Sequence, residues 1–227
     1  KVIGIGRRKA LELVKNHNVK SISELEKLHK SGQIELNDKI LLGLKYKNVF
    51  KTKIPRAEID RVDKYLHKII SKLDIELFGI ICGSYRRLKT ESSDIDLLIT
   101  HPKIKTMKDL INKENYLIKL INMLKEKKFL IDDLTDKNIS NKYMGFSKLN
   151  KVRRIDIRYV PYESYYPALL YFTGSGDFNR NMRSIAIGLG YKLNEYGLYK
   201  GKKRIIVNSE KDIFNKLNME YIDPSKR

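Results

Sequence analysis

Cysteine occurs once in the 227 residues, at Cys82. That single thiol excludes an internal disulfide and a zinc site built on several cysteines, and it suits a reducing compartment. No run of apolar residues approaches the roughly 20 needed to cross a bilayer, and no secretory leader pattern opens the chain. Internal repeats, Gly/Ser- or Pro-rich linkers and blocks of like charge are also missing, so the segments are expected to pack together. The four histidines, His17, His29, His67 and His101, have no metal-ligand spacing and read as surface or packing residues. Acidic residues are the minority, 27 Asp+Glu against 47 Lys+Arg. What remains is a soluble, intracellular, basic globular protein with no membrane partner.

What is present fits that outline. Apolar residues make up 41% of the chain and charged residues 33%, enough to bury a core. The formal net charge of +20 points to a polyanionic partner, because Lys and Arg facing phosphates displace condensed counterions. The excess divides as +8 over residues 1–54, +8 over 55–162 and +4 over 163–227, densest at the N-terminus. Charge alone does not separate a nucleic-acid enzyme from a passive binder or a protein that touches acidic lipid.

The apolar pattern predicts short helices first: Arg7 to Asn16, a second opened by a capping-box-like Ser23 with Glu26, and a third over Leu36 to Tyr46. Pro55 suits a helix first turn, and Ile59, Val62, Leu66, Ile69, Ile70 and Leu73 trace one apolar face behind it. Phe78–Cys82 and Ile95–Thr100 read as buried strands, Met107 to Glu126 as helix, and Tyr143–Phe146 and Arg154–Val160 as alternating strands. Helices over Tyr165–Phe172 and Phe178–Leu189, short strands at Tyr191–Leu193 and Arg204–Val207, and a helix from Lys211 to Leu217 complete the pattern. Helices, a mixed centre and a small α+β end give three segments: 1–54, 55–162 and 163–227.

The chemistry is concentrated at the centre. Gly83-Ser84-Tyr85-Arg86-Arg87 is followed by Asp94-Ile95-Asp96 and, about sixty residues on, by Arg154-Ile155-Asp156-Ile157-Arg158. On a strand, Asp94 and Asp96 point to one face, and Asp156 on a second strand can join them. Three converging carboxylates repel one another unless cations neutralise them. All-oxygen donors suit Mg²⁺, with Mn²⁺ substituting, and two ions about 3.5–4 Å apart clamp both oxygens of a phosphoryl displacement. The Gly83-Ser84 turn offers backbone N–H groups and a hydroxyl to a triphosphate, and Arg86 or Arg87 adds a charged fork. In this order and spacing the residues specify nucleotidyl transfer.

The chain resembles the family X DNA polymerases over nearly all of its length. The most specific element is Tyr171-Phe172-Thr173-Gly174-Ser175, followed by Phe178-Asn179-Arg180-Asn181-Met182-Arg183. The resemblance implies an α+β fold: a nucleotidyltransferase palm of mixed sheet and helices over 55–162, preceded by an all-helical helix-hairpin-helix subdomain (1–54) and followed by a small α+β nucleotide-selection subdomain (163–227). It implies that Asp94, Asp96 and Asp156 are the catalytic metal-binding aspartates, with Asp156 acting on the primer 3′-hydroxyl. Gly83, Ser84, Arg87, Ser92, Ser93 and Lys53 would hold the triphosphate. Tyr171 and Phe172 would crowd the sugar 2′ position, Gly174 would join the nucleotide-binding set, and Asn179 would reach the minor-groove edge of the incoming base. Arg183 would contact the template and Arg154 the DNA. Gly4 and Gly6 would form the hairpin that meets a DNA phosphate and holds a monovalent cation. Arg86 and Glu210 would pair when the C-terminal subdomain closes, Arg158 would pair with Asp96 in the open form, and Tyr196 would belong to the closing subdomain.

Two positions depart from the family pattern: Leu88, where Gly usually follows the two arginines, and Gly176, where close relatives carry Asp. The chain also starts at the hairpin with Lys1 rather than Met, so no lyase activity is assigned to it. The reading that follows is a monomeric DNA-directed DNA polymerase using dNTP and gapped or primer–template DNA. It would fill short gaps in DNA repair, without proofreading, and would be nuclear if the cell is eukaryotic. Its rivals are a template-independent or RNA-end nucleotidyltransferase and a non-catalytic DNA-binding module.

Overall fold

A computed structural model describes residues 2–135 and 139–227; Lys1 and residues 136–138 lie outside the described residues. The chain forms two compact units, divided between Thr52 and Lys53.

In the N-terminal unit, three helices are set by their caps. Helix α1 (Arg7–His17) starts after Gly6 and ends at Asn18 in the left-handed region. Helix α2 (Ile22–Lys30) opens with a capping box two residues ahead of the expected one. The Ser21 hydroxyl accepts the Glu24 N–H at 3.1 Å and the Glu24 carboxylate accepts the Ser21 N–H at 3.1 Å, whereas Glu26 pairs with Lys47. Helix α3 (Asp38–Lys45) is capped by the Asn37 side chain. Val2, Leu13, Val19, Leu25, Ile34, Leu36, Ile40 and Leu44 form the core of this unit. Gly4 is required there: its φ is +84°, and a Cβ would sit 2.9 Å from the Ile40 side chain. Gly6 has open space around it.

The second unit starts with β1 (Ile54–Pro55), helix α4 (Arg56–Leu73) and β2 (Phe78–Ile81). A one-turn helix α5 (Gly83–Arg86), β3 (Glu91–Ser92) and β4 (Ile95–Thr100) follow. Lys53 and Ile54 belong with this unit because Ile54 pairs with Ser92 across β1 and β3 and Lys53 Nζ donates to Ser93 Oγ at 2.7 Å. The expected single helix over Met107–Glu126 is broken into α6 (Met107–Asn112) and α7 (Tyr116–Glu126), the second capped by Asn115. Strands β5 (Leu130–Asp133), β6 (Lys142–Lys148) and β7 (Val152–Tyr159) complete a five-stranded mixed sheet of order β2-β4-β7-β6-β5. Its one parallel pair, β4 with β7, sets Asp96 directly opposite Asp156.

The alternation along β4 decides which faces are dry. Ile95, Leu97 and Ile99 pack with Ile59, Val62, Leu66 and Ile69 of α4 and Leu117, Leu120 and Leu124 of α7. Each such side chain, fully buried, stabilises the fold by about 1.5–3 kcal/mol relative to exposure. Leu98 faces the other way, toward helix α8 (Tyr165–Thr173), in a cluster with Cys82, Val160, Ala168 and Leu169. Asp96, two residues before Leu98, therefore lies on the α8 side of the sheet. The chain ends with helix α9 (Gly176–Gly188), a three-stranded sheet of β8 (Tyr191–Asn194), β9 (Gly197–Lys200) and β10 (Lys203–Ile205), and helix α10 (Glu210–Lys216). Leu170, Met182, Ala186, Leu198, Ile213, Phe214 and Leu217 pack at its centre. No helix of the described residues is long and apolar enough to cross a membrane.

Candidate active site

The carboxylate centre is a product of sheet register. Asp94 ends the turn before β4, Asp96 lies on β4, and Asp156 lies opposite it on β7. Burial and the neighbouring charges of Asp94 and Asp156 push the Asp96 carboxyl up to about 7. Burial and the Asp156 charge raise Asp94 in the same way. Asp156 is held by Arg154, two residues before it on the same strand: Nε and Nη2 donate to one carboxylate oxygen at 3.0 and 2.6 Å. Arg154, expected on DNA, is bonded here to Asp156. The three aspartates do not gather their oxygens into one set within 4.8 Å, and one Asp156 oxygen is taken by the Arg154 fork. An all-carboxylate donor set with strained ionisation fits hard divalent cations such as Mg²⁺ or Mn²⁺.

Among the described residues, only Asp74, Glu76 and His101 bring three potential ligand atoms within 4.8 Å of one another. That cluster is already satisfied. His101 Nδ1 accepts the Lys103 N–H at 3.1 Å, which leaves the proton on Nε2, 3.2 Å from Asp74 Oδ2. The ring is buried and stacks on Tyr116 at 4.6 Å, the packing role expected of a histidine without ligand spacing. Backbone and Tyr116 hydrogen bonds hold Asp74 down at about 2.

Gly83 sits where the α5 turn meets the carboxylates. Its φ is +58°, and a Cβ would fall 2.6 Å from Asp96 Oδ2. Ser84 Oγ donates to Ser92 Oγ at 2.8 Å, and Ser92 is buried. Leu88 holds a φ of +59° at the end of the α5 turn, its N–H donating to the Tyr85 carbonyl at 3.0 Å. That left-handed position explains why Gly is usual there; the Leu side chain is 62% exposed.

A cleft of about 550 Å³ joins these parts to the C-terminal segment. Of the residues expected to hold nucleotide, it is lined by Gly83, Ser84, Arg87, Ser93, Tyr171, Phe172, Gly174 and Asn179, together with Asp94, Asp96 and Arg183. Ser92 and Lys53 lie behind it, bonded to Ser84 and Ser93. Arg87 Nη1 donates to the Thr173 carbonyl at 2.6 Å while its Nε is buried without a partner, and burial lowers its pKa. Arg183 lies over the Tyr171 ring at 4.9 Å, with Glu195 at 3.7 Å. Asn179 Nδ2 donates to the Tyr171 carbonyl at 2.7 Å.

The Arg86–Glu210 pair is formed, Nη1 and Nη2 donating at 3.1 and 2.5 Å, and Arg158 lies over the Phe172 ring at 5.5 Å. Burial works against the Arg86 charge, but the Glu210 hydrogen bonds and the neighbouring charges, Glu210 first, together outweigh it, so its pKa moves up. Gly4 and Gly6 belong to the other unit. Tyr196 lies at the β8–β9 turn, outside the cleft lining; its carbonyl accepts from Ser164 Oγ and Arg204 Nη1, both at 2.8 Å.

Three contributors carried no role in the sequence reading. Thr173 and Arg180 line the cleft, and the Thr173 hydroxyl accepts from Arg86 at 2.7 Å. Arg227 donates to Glu210 at 2.6 Å from inside a cage of Phe178, Phe214 and Tyr221 rings. The Asn179–Arg183 string could have exposed Arg180; no local signal marks Arg227.

Comparison with known proteins matches two segments of the chain to known families. Residues 53–162 match the DNA polymerase beta palm family, and residues 168–227 the DNA polymerase beta thumb family. DNA polymerase lambda of Rattus norvegicus is 32% identical over 215 residues, which is 86% of this chain and 36% of that protein. DNA polymerase lambda of Arabidopsis thaliana is 30% identical over 252 aligned residues, 100% of this chain and 45% of the relative. DNA nucleotidylexotransferase of Ambystoma mexicanum is 26% identical across 100% of this chain and 51% of the relative. The chain spans between about a third and a half of the length of these curated relatives. Asp94 just before β4, Asp96 on it, Asp156 on the parallel strand, the Gly83 turn and both matched segments place this chain in the family X DNA polymerases.

Proposed function

We propose that the chain is a DNA-directed DNA polymerase that transfers dNMP from dNTP to a primer 3′-hydroxyl and fills short gaps during DNA repair. The observation that carries this reading is the cleft itself, where Asp94 and Asp96 share a wall with Ser84, Arg87, Tyr171 and Phe172. Asp94, Asp96 and Asp156 would hold two divalent ions, which when bound supply charge neutralisation at the attacking and leaving oxygens. Asp156 faces the primer terminus and holds its hydroxyl in line with the α-phosphate. The 3′-hydroxyl gives its proton to the Asp156 carboxylate, its oxygen forms the new P–O bond, the bond between α-phosphorus and the bridging oxygen breaks, and pyrophosphate leaves. Ser84, Ser93 and Arg87, whose Nε has no protein partner, receive the phosphates. Tyr171 and Phe172 form the wall against a 2′-hydroxyl, and Asn179 and Arg183 meet the base pair. The Arg86–Glu210 pair keeps the C-terminal segment folded over the cleft, so closure selects a fitting base pair.

The segments 1–54, 55–162 and 163–227 serve in this scheme as DNA-binding, catalytic and nucleotide-selecting parts. The N-terminal hairpin at Gly4 and Gly6 meets duplex phosphates, with a monovalent cation as its expected ligand. A second reading, template-independent addition, is favoured by the similarity to a DNA nucleotidylexotransferase. Primer extension on one-nucleotide-gapped DNA, with each dNTP and NTP in turn, separates the two. Template-directed use of the complementary dNTP supports the first reading; equal extension without a template overturns it.

A further inference from the structure

The turn that receives the triphosphate is too short to hold itself. Helix α5 has four residues, and a single helical turn is unfavourable without outside contacts. Ser84 and Arg87, three apart, share the face that lines the cleft. Tyr85, between them, turns away from the cleft and packs against the main core. It is held by three contacts from one helix. The Arg56 guanidinium lies over its ring at 4.2 Å, and Arg56 Nη1 donates to its carbonyl at 2.7 Å. Asp60 Oδ1 accepts its hydroxyl at 2.7 Å. The backbone of Arg56 is tied to the same segment, its N–H donating to the Thr90 carbonyl at 2.9 Å.

We infer that Arg56 and Asp60, at i and i+4 on α4, are positioning residues that act through Tyr85 to aim Ser84 and Arg87 at the triphosphate. The inference rests on the polymerase reading above. Neither side chain lines the cleft, so their effect reaches the nucleotide only through the turn. A small rotation of a one-turn helix shifts Ser84 and Arg87 together, and misplacement by about 1 Å is enough to cost an order of magnitude or more.

The test measures dissociation of the complementary dNTP from the protein bound to one-nucleotide-gapped DNA with Mg²⁺, the primer ended by a dideoxynucleotide so that no transfer occurs. Arg56→Gln and Asp60→Ala are expected to weaken dNTP binding about tenfold while affinity for the gapped DNA stays within about twofold. Asp60→Asn keeps an oxygen acceptor for the Tyr85 hydroxyl and is expected to bind dNTP within about twofold of the unsubstituted protein. Unchanged dNTP affinity in Arg56→Gln and Asp60→Ala overturns the inference, and so does an Asn variant as weak as the Ala variant. Should Asp60→Ala fail to fold, Tyr85→Phe, which keeps the ring under Arg56, is expected to show the same selective loss, and its absence overturns the inference. Extension of an ordinary primer by the unsubstituted protein is measured alongside. No extension refutes the polymerase reading, whereas normal extension with unaltered dNTP affinity in the variants refutes only the positioning role.

Discussion

Replacing Glu210 by Ala removes the carboxylate shared by Arg86 and Arg227. Arg86 reaches it from the palm side at 3.1 and 2.5 Å, and Arg227 reaches it at 2.6 Å. The Glu210 side chain is 7% exposed, that of Arg86 18% and that of Arg227 0%. The substitution therefore strands two guanidiniums in a largely dry setting, and one nitrogen of Arg227 already lacks a partner. Removing one member of a buried ion pair costs about 3–5 kcal/mol, because the remaining charge is left uncompensated. For a unit of this size that corresponds to a fall of about 6–20 °C in the transition of the larger unit, read by thermal unfolding. The same change loosens the C-terminal segment over the cleft, so kcat/KM for the complementary dNTP falls along with stability. A double replacement, Arg86→Met with Glu210→Met, is expected to be less destabilising than Glu210→Ala, since it removes charge on both sides. A Glu210→Ala variant that unfolds within about 1 kcal/mol of the parent would refute the reasoning, as would a double variant that is worse than the single.

Leu88→Gly is expected to raise stability by about 0.5–1 kcal/mol, since relief of the left-handed backbone outweighs the added chain entropy of Gly and little burial is lost; thermal unfolding checks it. Glu58 is bonded to Arg153 at 2.7 and 2.8 Å, and those bonds hold its carboxyl below the ordinary value near 4.5. Because the folded pKa is the lower one, its contribution is present above about 4.5 and is lost as the pH falls through the depressed value. Glu58→Gln should therefore destabilise by about 1.5–3 kcal/mol at pH 7, with the gap to the parent closing below pH 4.5 in urea titrations. Asp96, raised to about 7, has the opposite sign: without divalent ions, stability falls as the pH rises from about 4 to about 7. Calorimetric titration with Mg²⁺ should accordingly show proton release and weakening affinity below pH 7.

Legibility in the sequence followed the range of the interactions. Asp94-Ile-Asp96 and Ile155-Asp156-Ile157 reveal their strands by a period of two, and parallel pairing then brings Asp96 and Asp156 opposite each other. The Gly83 turn is legible only through the arginines and aspartates that follow it, since a Gly-Ser pair alone is a weak signal; the positive φ and the Asp96 carboxylate against its Cα, which leave room only for glycine, come from the fold. The break between α6 and α7 was not, since Asn115 competes as a cap inside an otherwise continuous apolar period. The capping box moved from Ser23 to Ser21 because both fit the same spacing and only tertiary contact, Glu26 with Lys47, separates them. The bond from Arg154 to Asp156 carries no separate sequence signal beyond their spacing of two, which sets both on one face of β7. Arg227 left no local trace: its partners are 17 residues away at Glu210 and in rings brought together only by folding.

The central claim is that Asp94 and Asp96, which line the cleft with Ser84 and Arg87, carry nucleotidyl transfer together with Asp156, opposite Asp96 on β7. Its most direct test is single-turnover extension on one-nucleotide-gapped DNA with Mg²⁺ by Asp156→Ala and the unsubstituted protein, with DNA affinity measured in parallel. Loss of extension by at least about 10²–10³-fold, at undiminished affinity for gapped DNA, is the predicted result. Extension by the Asp156→Ala variant at the parental rate would contradict the account.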